Sequence, residues 1–341
     1  MTRWAIGLLA AAALALGAGD VAAQTQGAGP GQPSDPAPPA YGLVQTIDLP
    51  GAKGGASGEL ALDPDTGTLW VAQASNHSVV VIEAESNKVR QVIEGIERGS
   101  GIGFSEHYAF VSDAAANAVV VIGKRSLERA ADLRASGAEP DGVYFDPKRG
   151  ELWVTASTGE MTVFKAVGHG GFKRLAGLRL KSSAVKQAPG VGLYLASKDR
   201  LYQPVDDGIE VINPASRHIE HSWNVSGASR VASLAYDAKT DRMLAATPAR
   251  GVLALDAKSG KITAQVAFQG RLQAVAVDSA LRRAYIADRA GRIGVIDLDH
   301  NLLLATIPSE PEAHSLAVDS RTHLLYVYRE QSNKVDVFAP H

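Results

Sequence analysis

The 341-residue chain has no cysteine, so no disulfide can staple it and no cysteine is available for lipid attachment. Its fold must be held by an apolar core. Aromatic residues make up only 6% and methionine occurs three times. The net charge of −2 gives no general attraction to nucleic acid or to an anionic membrane. No Gly-x-Ser-x-Gly occurs, which removes the nucleophile elbow of a hydrolase. The apolar run from Trp4 to Gly19 is 16 residues, short of the ~20 a membrane span needs.

That run follows Arg3 and is followed by the small residues Val21, Ala22 and Ala23. Charge, short apolar core and small-residue exit predict a secretory signal peptide over residues 1–23, with export to the periplasm or beyond. Residues 24–40 are almost all Gly, Pro, Ala, Gln and Ser, too poor in apolar surface to offset the entropy of ordering; a disordered tether is expected. Residues 41–341 remain for the folded domain, and no membrane span is expected in the mature protein.

This region repeats. Asp278, Tyr285 and Asp297 recur as Asp319, Tyr326 and Asp336, with the corner aspartates 41 residues apart. A period of 20 to 50 residues marks a fold in which no unit buries its own apolar face alone. Seven units follow, with first-strand corners at Asp63, Ser105, Asp146, Ser197, Asp237, Asp278 and Asp319. Each is followed by a strand carrying a large residue: Trp70, Phe110, Trp153, Tyr202, Leu244, Tyr285 or Tyr326. Units two and four have Ser for Asp and a hairpin shorter by two residues. Before most corners, large residues such as Leu60 and Leu62 alternate with small ones such as Ala61, the period of two that means strand. Four-stranded units repeated around an axis predict an all-β, seven-bladed β-propeller of antiparallel blades. The last unit lacks a fourth strand, and Leu43 to Leu49 reads like one. It is expected to latch the ring by completing the last blade.

Leu69-Trp70-Val71-Ala72, Ala284-Tyr285-Ile286-Ala287-Asp288 and Leu325-Tyr326-Val327-Tyr328 resemble the Tyr-Val-Thr-Asn core of YVTN-type propeller repeats, as do the stretches Ser75 to Ile82 and Ser86 to Val89. The chain is similar to YncE-like exported propellers and, more distantly, to seven-bladed lactonases. The resemblance implies a seven-bladed ring outside the cytoplasm. It implies function only loosely, since a fold does not fix a site.

Function is sought on the loops at the channel mouth, which can vary without disturbing the ring. Arg98, Arg230, Arg250, Arg271, Arg289, Arg329 and His314 are the candidate ligand-binding residues, five of the arginines falling in blades five to seven. Their planar guanidinium forks suit phosphate or carboxylate. Glu139, Asp141, Asp206 and Asp207 lie on the opposite side and could align such a ligand, or pair with the arginines across a solvated rim. The expected role is non-catalytic binding or scaffolding by a monomer without a cofactor. The partner would be an anionic small molecule, a glycan, a protein or, by resemblance only, single-stranded nucleic acid. The alternative is a metal-assisted, lactonase-like hydrolase using Glu59, Asp141 and His314.

Two further motifs lead elsewhere. His218 and His221, three apart on a strand, are expected on opposite faces and so not as metal ligands. Asp256 to Gly260 resembles the turn of quinone-enzyme propellers, but Ala264 stands where those have a docking Trp; an Asp-x-x-Ser-Gly turn is the simpler reading. Trp70 and Trp153 are expected in the blade core.

Overall fold

A computed structural model describes residues 41–340 except 53, 56, 57, 169, 170, 182–188, 207, 226, 228, 229, 313 and 314. The predicted signal peptide and tether, Asp207 and His314 lie outside the described residues.

Among the described residues, twenty-eight strands form seven four-stranded antiparallel sheets arranged as successive blades. Period-two alternation accounts for their stacking. In the second strand of blade one, Thr68–Gln73, Leu69 and Val71 pack with Tyr326 and Val337 of blade seven, while Trp70 and Ala72 pack with Ile102 and Val111 of blade two. The large second-strand residue packs against the following blade in every unit. Phe110, Trp153, Tyr202, Leu244, Tyr285 and Tyr326 each enter the next interface as Trp70 does. Seven apolar clusters among the described residues therefore correspond to seven interfaces, and Trp70 and Trp153 are core as expected.

The latch is present. Tyr41–Asp48 pairs antiparallel with Lys334–Pro340 as the outer strand of blade seven. Its register shift opposite Val337 and Phe338 matches the β-bulge in the fourth strands of blades one, two, four, five and six, at Val81/Ile82, Val121/Ile122, Val211/Ile212, Ala254/Leu255 and Val295/Ile296. In blade three the shift falls between Met161 and Val163. A bulge at the same step in nearly every outer strand kinks the sheet edges and discourages edge-to-edge pairing.

Two expectations need correction. Leu195 pairs with Arg200 as Asp63 pairs with Thr68, so the blade-four corner is Leu195 rather than Ser197, and its hairpin has ordinary length. The bulge at Glu220 also resets alternation: His218 lies opposite Asn213 and His221 opposite Val211, which puts both histidines on one face. Both are exposed, and no group of three metal-ligating side chains occurs among the described residues. The Asp256 turn forms as read, with Ser259 N and Oγ donating to Asp256 Oδ1 at 2.8 and 2.5 Å.

Candidate functional site at the channel mouth

The inner strands surround the axis, and their entry residues define the site. A cavity of about 270 Å³ is lined by residues of all seven blades, among them Glu59, Ser100, Asp141, Arg230, Gln273 and Arg289. A second hollow of about 240 Å³ runs along the inner strands of blades two to four. Glu59, Asp141 and Val191 line both.

Between blades four and five the inner strands meet by backbone, Val191 N donating to Ala232 O at 2.9 Å and Leu234 N to Val191 O at 3.1 Å, and elsewhere side chains tie one blade's edge to the next. Leu60 N donates to Ser315 Oγ at 2.8 Å, Ile102 N to Glu59 Oε2 at 2.9 Å, Gly192 N to Tyr144 Oη at 2.9 Å and Val275 N to Ser233 Oγ at 2.9 Å. Glu59 is thus partly a structural tie. The blades approach so closely at Gly101 that a Cβ there would lie 2.0 Å from the Asp141 carbonyl oxygen.

Burial dominates the electrostatics. It pushes the Glu59 carboxyl up to about 8, with the Ile102 amide opposing and the Asp141 carboxylate reinforcing the shift. Burial raises Asp141 as well, against a hydrogen bond from Ser100 and the charge of Arg230. It lowers Arg230, which Asp141 holds up and Arg289 pushes further down. At the adjoining rim Glu330 accepts from Gly58 N at 3.0 Å, and burial lifts its carboxyl to about 7.

The six candidate arginines separate into different environments. Arg98 pairs with Glu139 at 2.6 Å, Arg289 with Glu312 at 2.9 Å, and Arg329 with Glu310 at 2.7 Å and Asp336 at 3.2 Å. Arg250 donates to Gln265 at 2.7 Å. Arg271 is exposed and makes no ion pair among the described residues. Only Arg230 and Arg289 of the set line the cavity. Both bury an Nε that has no hydrogen-bond partner. The structure also brings Glu59 and Asp141 together, while Asp206 contributes its backbone, accepting from Val231 N at 2.9 Å. Ser233, Ser315 and Glu330 were not singled out from sequence. The serines looked merely small, and only a count of unmet inner-strand amides would have flagged them.

A closed ring of seven four-stranded blades, carrying a polar cavity at its axis, defines a β-propeller suited to a binding or scaffold role. Within that class the chain is similar to YncE of Salmonella typhi, an uncharacterized protein. The two are 24% identical over 291 residues, covering 81% of this chain and 70% of the relative. YncE of Salmonella typhimurium matches to the same extent. The resemblance to YncE-like propellers is therefore upheld. Among solved structures, hydrazine synthase of Kuenenia stuttgartiensis superposes with a TM-score of 0.71 at 16% identity, covering 82% of this chain and 94% of that one. The β-propeller domain of Cps50 (Swd1) from Myceliophteria thermophila gives 0.73 at 15% identity, covering 89% and 100%. Similarity at this level shows the fold alone. No protein-family model matches the chain.

Proposed function

We propose that this protein is an exported, non-catalytic propeller that holds a compact anionic ligand in its axial cavity, with Arg230 and Arg289 as the anion-binding pair. The observation that carries this reading is that, of the candidate arginines, Arg230 and Arg289 line the axial cavity. A ligand carboxylate or phosphate would accept charge-assisted hydrogen bonds from their guanidinium groups, roughly twice as strong as neutral ones. A cavity of about 270 Å³ suits a small molecule better than a polymer. The rim favours the same conclusion, because Arg98 and Arg329 are engaged by carboxylates and offer a nucleic-acid backbone little unshared charge. Export rests on the pattern of residues 1–23. Non-catalytic binding is supported by the use of one Glu59 oxygen as a blade tie and by the Ser100 hydrogen bond to Asp141.

Calorimetric titration of the mature domain with small carboxylates and inorganic phosphate tests the reading. Binding of at least one probe, lost in Arg230→Gln with the melting temperature unchanged, is the expected result. Equal affinity in the variant would overturn it.

A further inference from the structure

Arg230 and Arg289 are half of the cavity's charged lining. On the same wall, Glu59 Oε2 accepts from Ile102 N and Asp141 Oδ1 from Ser100, but neither Glu59 Oε1 nor Asp141 Oδ2 is engaged in a hydrogen bond among the described residues. The cavity is therefore walled by two guanidinium groups and by two carboxyl groups that each keep one oxygen outside the hydrogen bonds among the described residues. A simple anion satisfies only the first pair. Beyond the carboxyl pair, the second hollow is walled by Phe104, Tyr144, Phe145 and Tyr194. Its aromatic rings suit an apolar group.

Guanidinium and carboxyl groups line one cavity, and the apolar hollow shares Glu59, Asp141 and Val191 with it. We infer that the ligand is a zwitterion: a free α-amino acid or a similarly small amino carboxylate. Its carboxylate sits between Arg230 and Arg289, its ammonium between Glu59 and Asp141, and its apolar side chain in the hollow of blades two to four. Carboxylate, ammonium and side chain radiate from one carbon, so a single small molecule can meet all three regions. Arg230, Arg289, Glu59 and Asp141 all line the one cavity of about 270 Å³, which places the two half-sites within one ligand's reach. This inference rests on the anion-binding reading above and adds the ammonium half-site to it.

The mature domain is screened by thermal shift against the twenty free amino acids. The best binder, or L-phenylalanine as reference, is then titrated by calorimetry beside its deaminated acid, such as 3-phenylpropionate, and its decarboxylated amine, such as 2-phenylethylamine. The expected result is binding of the amino acid, at least tenfold weaker binding of the acid, and none of the amine. Asp141→Asn should weaken the amino acid at least tenfold while leaving the acid unchanged, with its melting temperature confirming that the variant folds. If the acid binds as tightly as the amino acid, or only anions lacking an ammonium bind, the zwitterion inference fails and the anion site stands. If neither acids nor amino acids bind, both readings fail.

Discussion

Arg282 of blade six grips Asp237 of blade five with both terminal nitrogens, at 2.6 and 2.9 Å, and the carboxylate is fully buried. Corner acids elsewhere are tied across the same kind of seam. Asp63 takes Lys124 of blade two at 3.0 Å, Asp146 takes the Tyr194 hydroxyl of blade four at 2.9 Å, and Asp278 takes His323 of blade seven at 2.8 Å. The repeated corner aspartate is thus a blade-to-blade lock. Removing one partner leaves a buried charge unpaired, which typically costs about 3–5 kcal/mol. Arg282→Ala should lower stability by about that amount in denaturant melts, and Arg282→Ala combined with Asp237→Asn should lower it less than the single change.

The same lock sets an acid limit. Burial alone would raise the Asp237 carboxyl, but Arg282 and Thr240 hold it down at about 2. Because the folded value lies below the unfolded one, near 3.9, the stability it contributes is complete above about pH 4 and disappears as pH falls through 2. Asp237→Asn should flatten the melting-temperature profile between pH 4 and 2. An unchanged slope would show that other corners dominate acid unfolding.

At the channel the sign reverses. Glu59 has a folded value of about 8, above its unfolded value near 4.3, so its contribution is fully present below about pH 4 and is lost as pH rises through 8. Glu330, at about 7, adds in the same direction. Glu59→Gln should therefore raise the melting temperature at pH 8.5 relative to the parent while changing it little at pH 4. A drop at pH 8.5 would show that the carboxylate, and not its neutral form, serves the Ile102 amide.

Closure of the ring can be tested at its seam. Tyr41 meets Tyr285 edge-on, with hydroxyl oxygens 2.5 Å apart, and Ile47 and Leu49 are buried against blades seven and one. Burial of those two aliphatic side chains alone is worth about 3–6 kcal/mol. A chain beginning at residue 50 should melt far below one beginning at residue 41. Similar midpoints would mean that blade seven closes without its outer strand.

The blade plan was legible because every unit had to solve one packing problem. Trp70, Tyr285 and Tyr326 mark the second strand wherever a large residue must fill the gap to the next blade, and Leu43 to Leu49 stood out as a strand without a partner. The bulges were invisible, since an extra Glu220 or Thr263 looks like any other outer-strand residue until its register is drawn. Blade four was misaligned because Leu195 occupies a corner that elsewhere carries a polar residue. The mouth was least legible. Its arginines sort by partners on the entry loops, Glu139, Glu310 and Glu312, and spacing along one chain does not report such contacts.

That sorting separates two arginines that look equivalent in sequence. Arg230 and Arg271 occupy the same place in consecutive units, seven residues before Asp237 and Asp278. Arg230 lines the axial cavity beside Asp141 with its Nε buried and unmet, whereas Arg271 is exposed on the rim. A charged hydrogen bond in such a site is worth about 1.5–3 kcal/mol, or roughly 10- to 100-fold in affinity. Arg230→Ala should lose that much affinity for a small anion. Arg271→Ala should change it less than twofold at moderate salt, where an exposed charge is screened. Equal losses from the two would move the site from the channel to the rim and restore a ring of surface arginines as the binding element.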